Sequence, residues 1–340
     1  MGKINIDGIE VGGDKTYIIA DVGSNHMQNF QLAKESIDAA KQAGVDAVKF
    51  QSILLKELYL NPDEEISDFI KKLEFPEQWH YDLKEYADEI GITFFSSPTY
   101  LKAVDILEDI NVSVYKLASA QVGTFPQIVE KVANLHKPTI FSTGIASINE
   151  IDQAISIFRK HNNDQFIILH CNSIYPTPAE KVNLPFMKHI ASLYPNPVGF
   201  SDHTIGTHTA CSAVAMGAKV IEKHFTLDRN FKSPDSNEFA CDPLELNLLV
   251  KQIRDIEKSM VAVSDRKKIE KEEQEFKESI SYKIVAAIDL EAGTIINSSM
   301  LKYLRNNEGI NCKNQNEVVG KQITTSIKQN ELIDYDKFAK

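Results

Sequence analysis

The chain has 340 residues, of which 43% are apolar and 25% are charged, and its formal net charge is −11. This composition is typical of a globular protein with room for one large domain and a small one. The acidic balance argues against nucleic-acid binding, and the lack of a long apolar run argues against a membrane protein. We expect no signal peptide, and four scattered cysteines indicate a reduced, cytoplasmic protein.

Short runs rich in β-branched and aromatic residues recur along the first two thirds of the chain. They cover residues 16–25, 46–52, 93–99, 113–121, 138–144, 166–173, 198–204 and 219–225. Their continuous apolar character is typical of parallel strands covered on both faces. Eight such strands alternating with helices predict an α/β fold, a (β/α)8 TIM barrel over residues 1–263. A doubly wound open sheet is the alternative, but it usually has fewer strands.

Helical patterns fill the intervals between these strands. Residues 29–44 carry an amphipathic pattern that stops at Gly44, a residue type that favours helix C-termini. Residues 125–136 carry a similar pattern, and residues 246–263 predict the last helix of the barrel. The longer interval 53–92 is expected to hold an extra segment or a long loop.

Every predicted strand ends on polar residues. These residues are Asp21, Asn25, Lys49, Gln51, Ser96, Ser97, Lys116, Ser119, Gln121, Ser142, Thr143, His170, Asn172, Ser201, Asp202, His203, Glu222 and His224. In a (β/α)8 barrel the carboxyl ends of the strands surround the active site. A single strand that ends on polar residues is explained by a turn. Eight such strand ends that converge on one rim predict a functional site.

His203 and His224 end the last two predicted strands. Neighbouring strands lie about 4.8 Å apart, so two imidazoles at matched height are able to share one metal ion. Two histidine ligands leave positions open for water and substrate, as a catalytic ion needs. The alternative is a pair of ordinary hydrogen-bonded histidines, which is the commoner case. The matched placement at the rim favours the metal.

Lys49 and Lys116 each follow an apolar run and point toward the same rim if the strand register holds. A lysine among apolar neighbours is costly unless an anion lies beside it. The serines that end neighbouring strands are Ser119, Ser142 and Ser201. Together these side chains predict a site for a phosphate or a carboxylate. The alternative for the two lysines is a pair of internal salt bridges, for instance to Asp21 or Glu222.

Beyond the barrel the character of the sequence changes. Residues 264–281 are dense in charge and predict a solvated linker or an exposed helix. Residues 282–340 contain two segments of similar pattern, "IDLEAGTIINSSML" and "SIKQNELIDYDKF", which predict a small, internally repeated β-rich domain. A domain of this size has a marginal core, which docking on a partner would stabilise.

The ordered motifs resemble those of the sialic acid synthase family, the phosphoenolpyruvate-dependent N-acetylneuraminate, legionaminate and pseudaminate synthases. "IIADVGSNH" is similar to the family's IIAE-x-G-x-NH, "DAVKFQ" to its second-strand motif and "SVYKLASAQ" to its YKI-x-S-x-E. "FSTG", "LHCNSIYPTP", "GFSDHT" and "IEKHFTLD" follow in the family order, and the tail resembles its antifreeze-like (SAF) domain. The resemblance covers nearly the whole chain, and the ordered set is far more specific than any single motif.

The resemblance implies a reaction that condenses phosphoenolpyruvate with an N-acylated hexosamine and water into a nine-carbon 2-keto acid and phosphate. It implies that His203 and His224 bind a divalent metal, Mn²⁺ first, with Mg²⁺ or Co²⁺ as alternatives. The residues it assigns to phosphoenolpyruvate are Lys49, Lys116, Ser97, Ser119, Ser142, Ser173 and Ser201. Tyr175 and Asp235 would lie beside the sugar. Family members are domain-swapped homodimers in which the tail of one chain covers the barrel of the other, so Arg305 would reach the partner's site.

The chain departs from the family pattern at the acceptor side. Asp21 stands where the family usually has Glu, and Gln121 replaces another usual Glu. Both positions belong to the expected catalytic set, with Lys49 and Lys116. An amide cannot act as a general base, so the reaction needs another base or works differently. "PDSNEF" and "RNN" are further departures, whereas the phosphoenolpyruvate set is intact. We therefore expect a retained donor and an unusual acceptor.

Two alternative functions stay open on the sequence alone. One is a phosphoenolpyruvate-dependent condensation on a different sugar aldehyde. The other is a catalytically impaired paralogue that binds sugar or metal without turnover, for which Gln121 and Asp21 are the only support. Release of phosphate with a panel of acceptor sugars separates all three functions.

Overall fold

A computed structural model describes residues 2–233, 238–261 and 269–339. The chain divides into two compact units, Met1–Val261 and Ala262–Lys340. Among the helices in the described ranges, none has the length and apolar content needed to cross a bilayer.

The first unit begins with an antiparallel hairpin of β1 (Ile4–Ile6) and β2 (Ile9–Val11) and continues into eight parallel strands. The eight are β3 (Tyr17–Gly23), β4 (Ala47–Ser52), β5 (Thr93–Pro98), β6 (Tyr115–Leu117), β7 (Thr139–Ser142), β8 (Phe166–Cys171), β9 (Val198–Asp202) and β10 (Val220–His224). Their order is β5-β4-β3-β10-β9-β8-β7-β6, and the end strands β5 and β6 lie against each other. The sheet therefore closes, which confirms the barrel and excludes the open sheet.

Helices connect the strands and cover the outside of the barrel. They are α1 (Phe30–Ala43), α2 (Leu55–Leu58), α3 (Glu64–Leu73), α4 (Glu77–Ile90), α5 (Leu101–Asp109), α6 (Ser119–Thr124), α7 (Pro126–Ala133), α8 (Ile148–Lys160), α9 (Leu184–Leu193), α10 (His208–Ala215) and α11 (Pro243–Ser259). The predicted pattern of residues 29–44 corresponds to α1. The Asn29 side chain accepts the first backbone N–H groups, and Gly44 ends the helix at a φ of 81°, which glycine adopts without strain.

Two parts of the first unit differ from the sequence-based expectation, and a third decides between two alternatives. The hairpin β1–β2 had no predicted counterpart, because strands of three residues carry too little pattern. Residues 53–92 hold the extra segment, helices α2 and α3, and not the long loop that was the other expectation, and α4 takes the position of the barrel helix. Residues 119–121, predicted within a strand, belong to α6, whose first turn closes when the N–H of Val122 donates to the carbonyl oxygen of Ala118.

Alternation along the strands divides the barrel side chains into layers. Ile18 and Ala20 face outward and join the core between strands and helices. Ile19 and Ala47 face inward and pack in a second cluster. The hairpin contributes Ile4, Ile6 and Val11 to this cluster. The next inward positions, two residues further along each strand, are Asp21 and Lys49. The barrel interior is therefore apolar at the amino ends of the strands and polar at the carboxyl ends.

The second unit is small and has its own core. It contains α12 (Lys271–Ser279) and the antiparallel strands β11 (Tyr282–Ala286) and β12 (Leu301–Arg305). Isolated bridges and short 3-10 turns connect the remainder. Its apolar cluster is Ile284, Ala286, Leu290, Ile296, Leu301, Ile310, Val318, Ile323, Ile327, Ile333 and Phe338. The predicted linker 264–281 lies partly outside the described residues, and its described part contains α12, which is exposed along its length.

Candidate active site

A cavity of about 320 Å³ lies at the carboxyl ends of the barrel strands. Its lining is Asp21, Lys49, Gln51, Lys116, Ala118, Ser119, Ser142, Cys171, Tyr175, Ser201, His203, Glu222 and His224. These residues come from seven different strands or the loops that follow them, so only closure of the barrel brings them together. Most of the side chains singled out from the sequence therefore share one space.

Two lysines and two carboxylates form a buried network at the base of the cavity. Lys49 Nζ lies 2.7 Å from Asp21 Oδ2 and 3.8 Å from Glu222 Oε2, and Lys116 Nζ lies 3.0 Å from Glu222 Oε1. Ser201 Oγ donates to the same Glu222 oxygen at 2.8 Å. The salt bridges considered as the alternative are thus present, and the same ammonium groups line the cavity. With Asp21 ionised, the charges of the four groups cancel.

Burial and charge act in opposite directions on the carboxylates. Burial alone would raise the pKa of Glu222, but the ammonium groups of Lys116 and Lys49 outweigh it and hold that pKa below the ordinary value. Burial raises the pKa of Asp21, against the effect of Lys49. Glu222 is therefore the firmly ionised member of the pair.

Hydroxyl groups line the opposite wall around Gly144. The N–H of Gly144 donates to Ser119 Oγ at 2.8 Å. A Cβ atom at Gly144 would lie 2.3 Å from Ser173 Oγ and 2.8 Å from Ser119 Oγ, so a larger residue would push the two hydroxyls away. Ser142 Oγ is buried and has no hydrogen-bond partner among the described residues. A buried hydroxyl of this kind is available to a bound anion.

The two imidazoles lie side by side in the cavity wall, with ring centroids 5.1 Å apart. Nδ1 of His203 lies 2.7 Å from the carbonyl oxygen of Asn172, so Nδ1–H donates and Nε2 keeps its lone pair. Burial, aided by His224, lowers the pKa of His203 to about 3. Burial, aided by Lys49, lowers the pKa of His224 to about 3. Both rings are therefore neutral near pH 7, the form that binds metals.

The nitrogen atoms of the two rings suit a divalent cation. His224 Nδ1 is buried without a hydrogen-bond partner among the described residues, and its Nε2 lies 3.5 Å from Asp21 Oδ2. A buried ring nitrogen of this kind suits a metal ligand. Within the described part of the chain, no group of three or more His, Cys, Asp or Glu residues is arranged to hold an ion. The residues fit a cation held by two imidazoles and completed by substrate or water.

Three of the predicted donor and catalytic residues lie beside the cavity rather than in its lining. Ser97 is on the inward side of β5, 1% exposed, and its Oγ has no partner among the described residues. Gln121 is on α6, and its buried Oε1 also has no partner there. Ser173 is half-buried next to Gly144.

The remaining predicted substrate contacts are Tyr175, Arg305 and Asp235. Tyr175 is 57% exposed at the mouth of the cavity, and its ring centroid lies 4.4 Å from that of His203. Arg305 ends β12 in the second unit, where it is exposed and its guanidinium lies 5.4 Å from the ring centroid of Tyr282. Asp235 falls outside the described residues.

Sequence reasoning missed three features of this cavity. It gave Glu222 no role beyond that of a salt-bridge partner, although an acidic residue two positions before a strand-end histidine must share its face. It missed Cys171, a lining residue whose pKa burial raises to about 11. It also missed Phe239, whose buried ring lies 5.1 Å from the His224 centroid and 5.8 Å from that of His203. No sequence pattern pointed to Phe239.

The fold and the cavity define a (β/α)8-barrel protein with a charged site at the carboxyl ends of its strands. The model of the NeuB family matches residues 36–265. The chain is 36% identical to the N,N'-diacetyllegionaminic acid synthase of Campylobacter jejuni, over 94% of this chain and 99% of that protein. It is 39% identical to an uncharacterized protein of Methanocaldococcus jannaschii, over 99% of this chain and 98% of that protein. The chain therefore belongs to the NeuB family, the sialic acid synthases and their relatives, which confirms the resemblance of the motifs.

A solved structure supports the same assignment. The crystal structure of the N-acetylneuraminic acid (sialic acid) synthetase from Leptospira borgpetersenii, in complex with citrate, is similar with a TM-score of 0.75 and 34% sequence identity. The match covers 82% of this chain and 95% of that chain.

Proposed function

We propose that this protein condenses phosphoenolpyruvate with an N-acylated hexosamine and water, giving a nine-carbon 2-keto acid and phosphate. The observation that carries the proposal is a single cavity lined by two lysines, a group of hydroxyls and two neutral histidines. The named relatives and the family match support the reaction class.

Phosphoenolpyruvate fits the lysine and serine side of the cavity. Lys49 and Lys116 bind its phosphate and carboxylate, while the hydroxyls of Ser119 and Ser142 donate to the remaining oxygens. The carboxylates of the cavity already neutralise both lysines. Binding of an anion with two acidic groups therefore requires further positive charge. The two proposed sources are a divalent cation and an arginine.

His203 and His224 would hold the divalent cation, which when bound polarises the aldehyde oxygen of the sugar as a Lewis acid. Mn²⁺ is our first choice, with Mg²⁺ and Co²⁺ as alternatives. Carbon 3 of phosphoenolpyruvate attacks the aldehyde carbon, which leaves positive charge at its carbon 2. Water adds to carbon 2 and loses a proton, and phosphate leaves as the keto group forms. Tyr175 stands at the mouth, beside the sugar.

Glu222 replaces the missing glutamate at position 121 as the group that orients the attacking water. Its carboxylate faces the cavity between Lys116 and Ser201, at 3.0 and 2.8 Å. Gln121 keeps a buried amide that cannot accept a proton. An ionised carboxylate in the cavity favours an active enzyme over an impaired paralogue.

We propose that the small second unit is the SAF domain. In a domain-swapped dimer it would cover the partner's barrel and deliver Arg305 there. The unbalanced charge of a bound enol phosphate supports a need for that arginine. A covering domain would also exclude bulk water from the intermediate. Asp235 completes the proposed sugar contacts.

Release of phosphate tests the proposed reaction. The protein is incubated with phosphoenolpyruvate, Mn²⁺ and a panel of N-acyl hexosamines that includes diamino sugars. We expect release that depends on the sugar and is lost in Lys116→Met. Lys219→Met, at the opposite end of β10, is the matched control and keeps activity, since its ammonium donates to the carbonyl oxygen of Gly13, far from the cavity.

The panel also decides the acceptor. We expect a sugar other than N-acetylmannosamine to be preferred, because Asp21 and Gln121 depart from the family pattern on the acceptor side. Equal turnover of N-acetylmannosamine with no preference for another sugar contradicts this expectation. No phosphate release with any sugar contradicts the reaction itself.

A further inference from the structure

The residues that immediately precede His203 and His224, Asp202 and Lys223, form an ion pair that the proposed reaction does not use. Lys223 Nζ is 3.0 Å from Asp202 Oδ2, and both side chains are 0% exposed. The two residues face each other across β9 and β10. Ser201 and Glu222, one position earlier, line the cavity, so alternation turns Asp202 and Lys223 to the outer face of the barrel.

The same ammonium group also holds the chain on the other side of His203. Lys223 Nζ donates to the carbonyl oxygen of Thr204, and Asp202 Oδ1 accepts the N–H of Thr204 at 2.8 Å. Lys223, which precedes His224, therefore contacts the residues on both sides of His203. It pairs with Asp202 and donates a hydrogen bond to Thr204. Strand β9 ends at Asp202, so His203 lies beyond the last strand residue, and these contacts hold it together with its hydrogen bonds to Asn172 and Thr177.

We propose that Lys223 and Asp202 are positioning residues that set the separation and orientation of the His203 and His224 imidazoles. The inference depends on the proposed metal-binding function of those histidines. A buried ion pair rarely adds net stability over apolar side chains of similar size, so a stabilising role explains this one poorly. Groups behind metal ligands, by contrast, control how well the ligands are oriented.

A double variant, Asp202→Asn with Lys223→Met, tests the positioning role. It removes both charges together and leaves no unpaired buried charge. The full-length protein is titrated with Mn²⁺ alone, and the free ion is followed by its electron paramagnetic resonance signal. We expect the dissociation constant for Mn²⁺ to rise about 10- to 100-fold. Lys223→Arg, which keeps the charge but shifts it, gives a smaller rise and replaces the double variant if that one does not fold.

A second ion pair at the opposite end of the barrel provides the matched control. Arg254 Nη2 lies 3.1 Å from Asp46 Oδ2, and Asp46 also accepts the N–H of Ile18 at the start of β3. Asp46→Asn with Arg254→Met should lower the thermal midpoint without changing the Mn²⁺ dissociation constant. Unchanged Mn²⁺ affinity in the Asp202/Lys223 variant, or an equal loss in the control, overturns the positioning role.

A metal-free measurement separates this inference from the metal proposal. If the wild type binds no Mn²⁺, the metal proposal is wrong, and the positioning role is then judged from histidine ¹⁵N resonances of the metal-free protein. His203 Nδ1–H, which donates to Asn172, should give the signal of one tautomer in the wild type and in the control. We expect that signal to shift toward a tautomer average when Asp202 and Lys223 are replaced. An unchanged His203 signal overturns the inference.

Discussion

Gly144 sets how closely the hydroxyls of Ser119 and Ser173 approach the backbone at the rim of the barrel. A Cβ atom at this position would lie 2.8 Å from the first hydroxyl oxygen and 2.3 Å from the second, which leaves no space for a methyl group. Position 144 therefore requires glycine for lack of space, whatever the backbone conformation there. The hydroxyls that it brings together belong to the proposed phosphoenolpyruvate site.

Gly144→Ala should weaken phosphoenolpyruvate binding about 10-fold or more, because Ser119 and Ser173 must move and lose hydrogen bonds to the ligand. The dissociation constant from calorimetry checks this. Gly123→Ala on α6 is the control, since its Cβ meets no described atom closer than 3.6 Å. Wild-type affinity in Gly144→Ala would show that these hydroxyls do not bind the donor.

Glu222→Gln should lower kcat about 100-fold or more, since the amide keeps the shape of the side chain but loses the negative charge that pairs with Lys116 and orients the attacking water. Phosphate release at saturating substrates measures it, and binding of phosphoenolpyruvate reports whether the site is intact. A kcat close to that of the wild type would remove Glu222 from the reaction and leave Gln121 as the residue to test next.

At the scale of elements, the hairpin β1–β2 closes the amino end of the barrel. Ile4, Ile6 and Val11 pack with the inward aliphatic residues of the strands. Asp7, at the turn of the hairpin, accepts hydrogen bonds from Thr93 and from Ser113, each at 2.7 Å. The hairpin is therefore part of the barrel core and not a loose terminus.

Ile6→Ala should lower the free energy of unfolding by about 2–5 kcal/mol, because the removed atoms leave a space in a fully buried cluster. Ile9→Ala, whose side chain is only half-buried, should cost less and serves as the control. Urea denaturation followed by fluorescence measures both. Equal effects would mean that the hairpin does not pack its Ile6 face into the barrel.

The same elements show what the sequence predicts well and what it does not. Lys49 and His224 end apolar runs, so alternation alone predicts that they face inward. The sequence offered Glu222 as a salt-bridge partner but did not decide which lysine it pairs with, because Lys116 and Glu222 are 106 positions apart on strands that are not neighbours. The close approach at Gly144 depends on distances across strands, which the residue pattern does not contain.

At the scale of the whole molecule, buried histidines make the stability depend on pH. Burial lowers the pKa of His26 from 6.5 to about 4, and its Nδ1 accepts the N–H of Gln28, which requires the neutral ring. As the pH falls, the His26 imidazole takes up a proton in the unfolded chain at a higher pH than in the folded protein, which favours unfolding. The contribution of the neutral His26 ring to the free energy of unfolding is therefore fully present above about pH 6.5. It is lost as the pH falls from there to about 4, the pKa of His26 in the folded protein.

His26→Phe should remove about 2 kcal/mol of the stability loss between pH 7 and pH 5, because the ring then binds no proton in either state. Phe suits the site, where the His26 ring already packs against Phe75 and Trp79 at 5.7 and 5.3 Å. The fluorescence of Trp79 follows urea unfolding at each pH. Equal pH dependence in wild type and variant would mean that His26 is not the titrating group.

Mixing two inactive variants tests the exchange of tails between chains. Lys116→Met disables the barrel of its own chain, and Arg305→Ala disables the tail. If the tail serves the partner's barrel, half of the exchanged dimers are mixed and hold one intact site each, so about a quarter of the activity returns. Activity that stays absent after subunit exchange, in a preparation shown to be dimeric, would mean that Arg305 acts within its own chain, whereas an Arg305→Ala variant that is active by itself would mean that Arg305 has no role.

Among the described residues, the apolar cluster at the amino ends of the strands fills the barrel interior there, and the cavity opens at the carboxyl ends, beside Tyr175. In the proposed reaction, phosphoenolpyruvate, the sugar and water would enter on this side of the barrel, and phosphate and the new sugar acid would leave on the same side. Both products would then have to leave before the next substrates enter, so slow product release would limit turnover even when the chemical steps are fast.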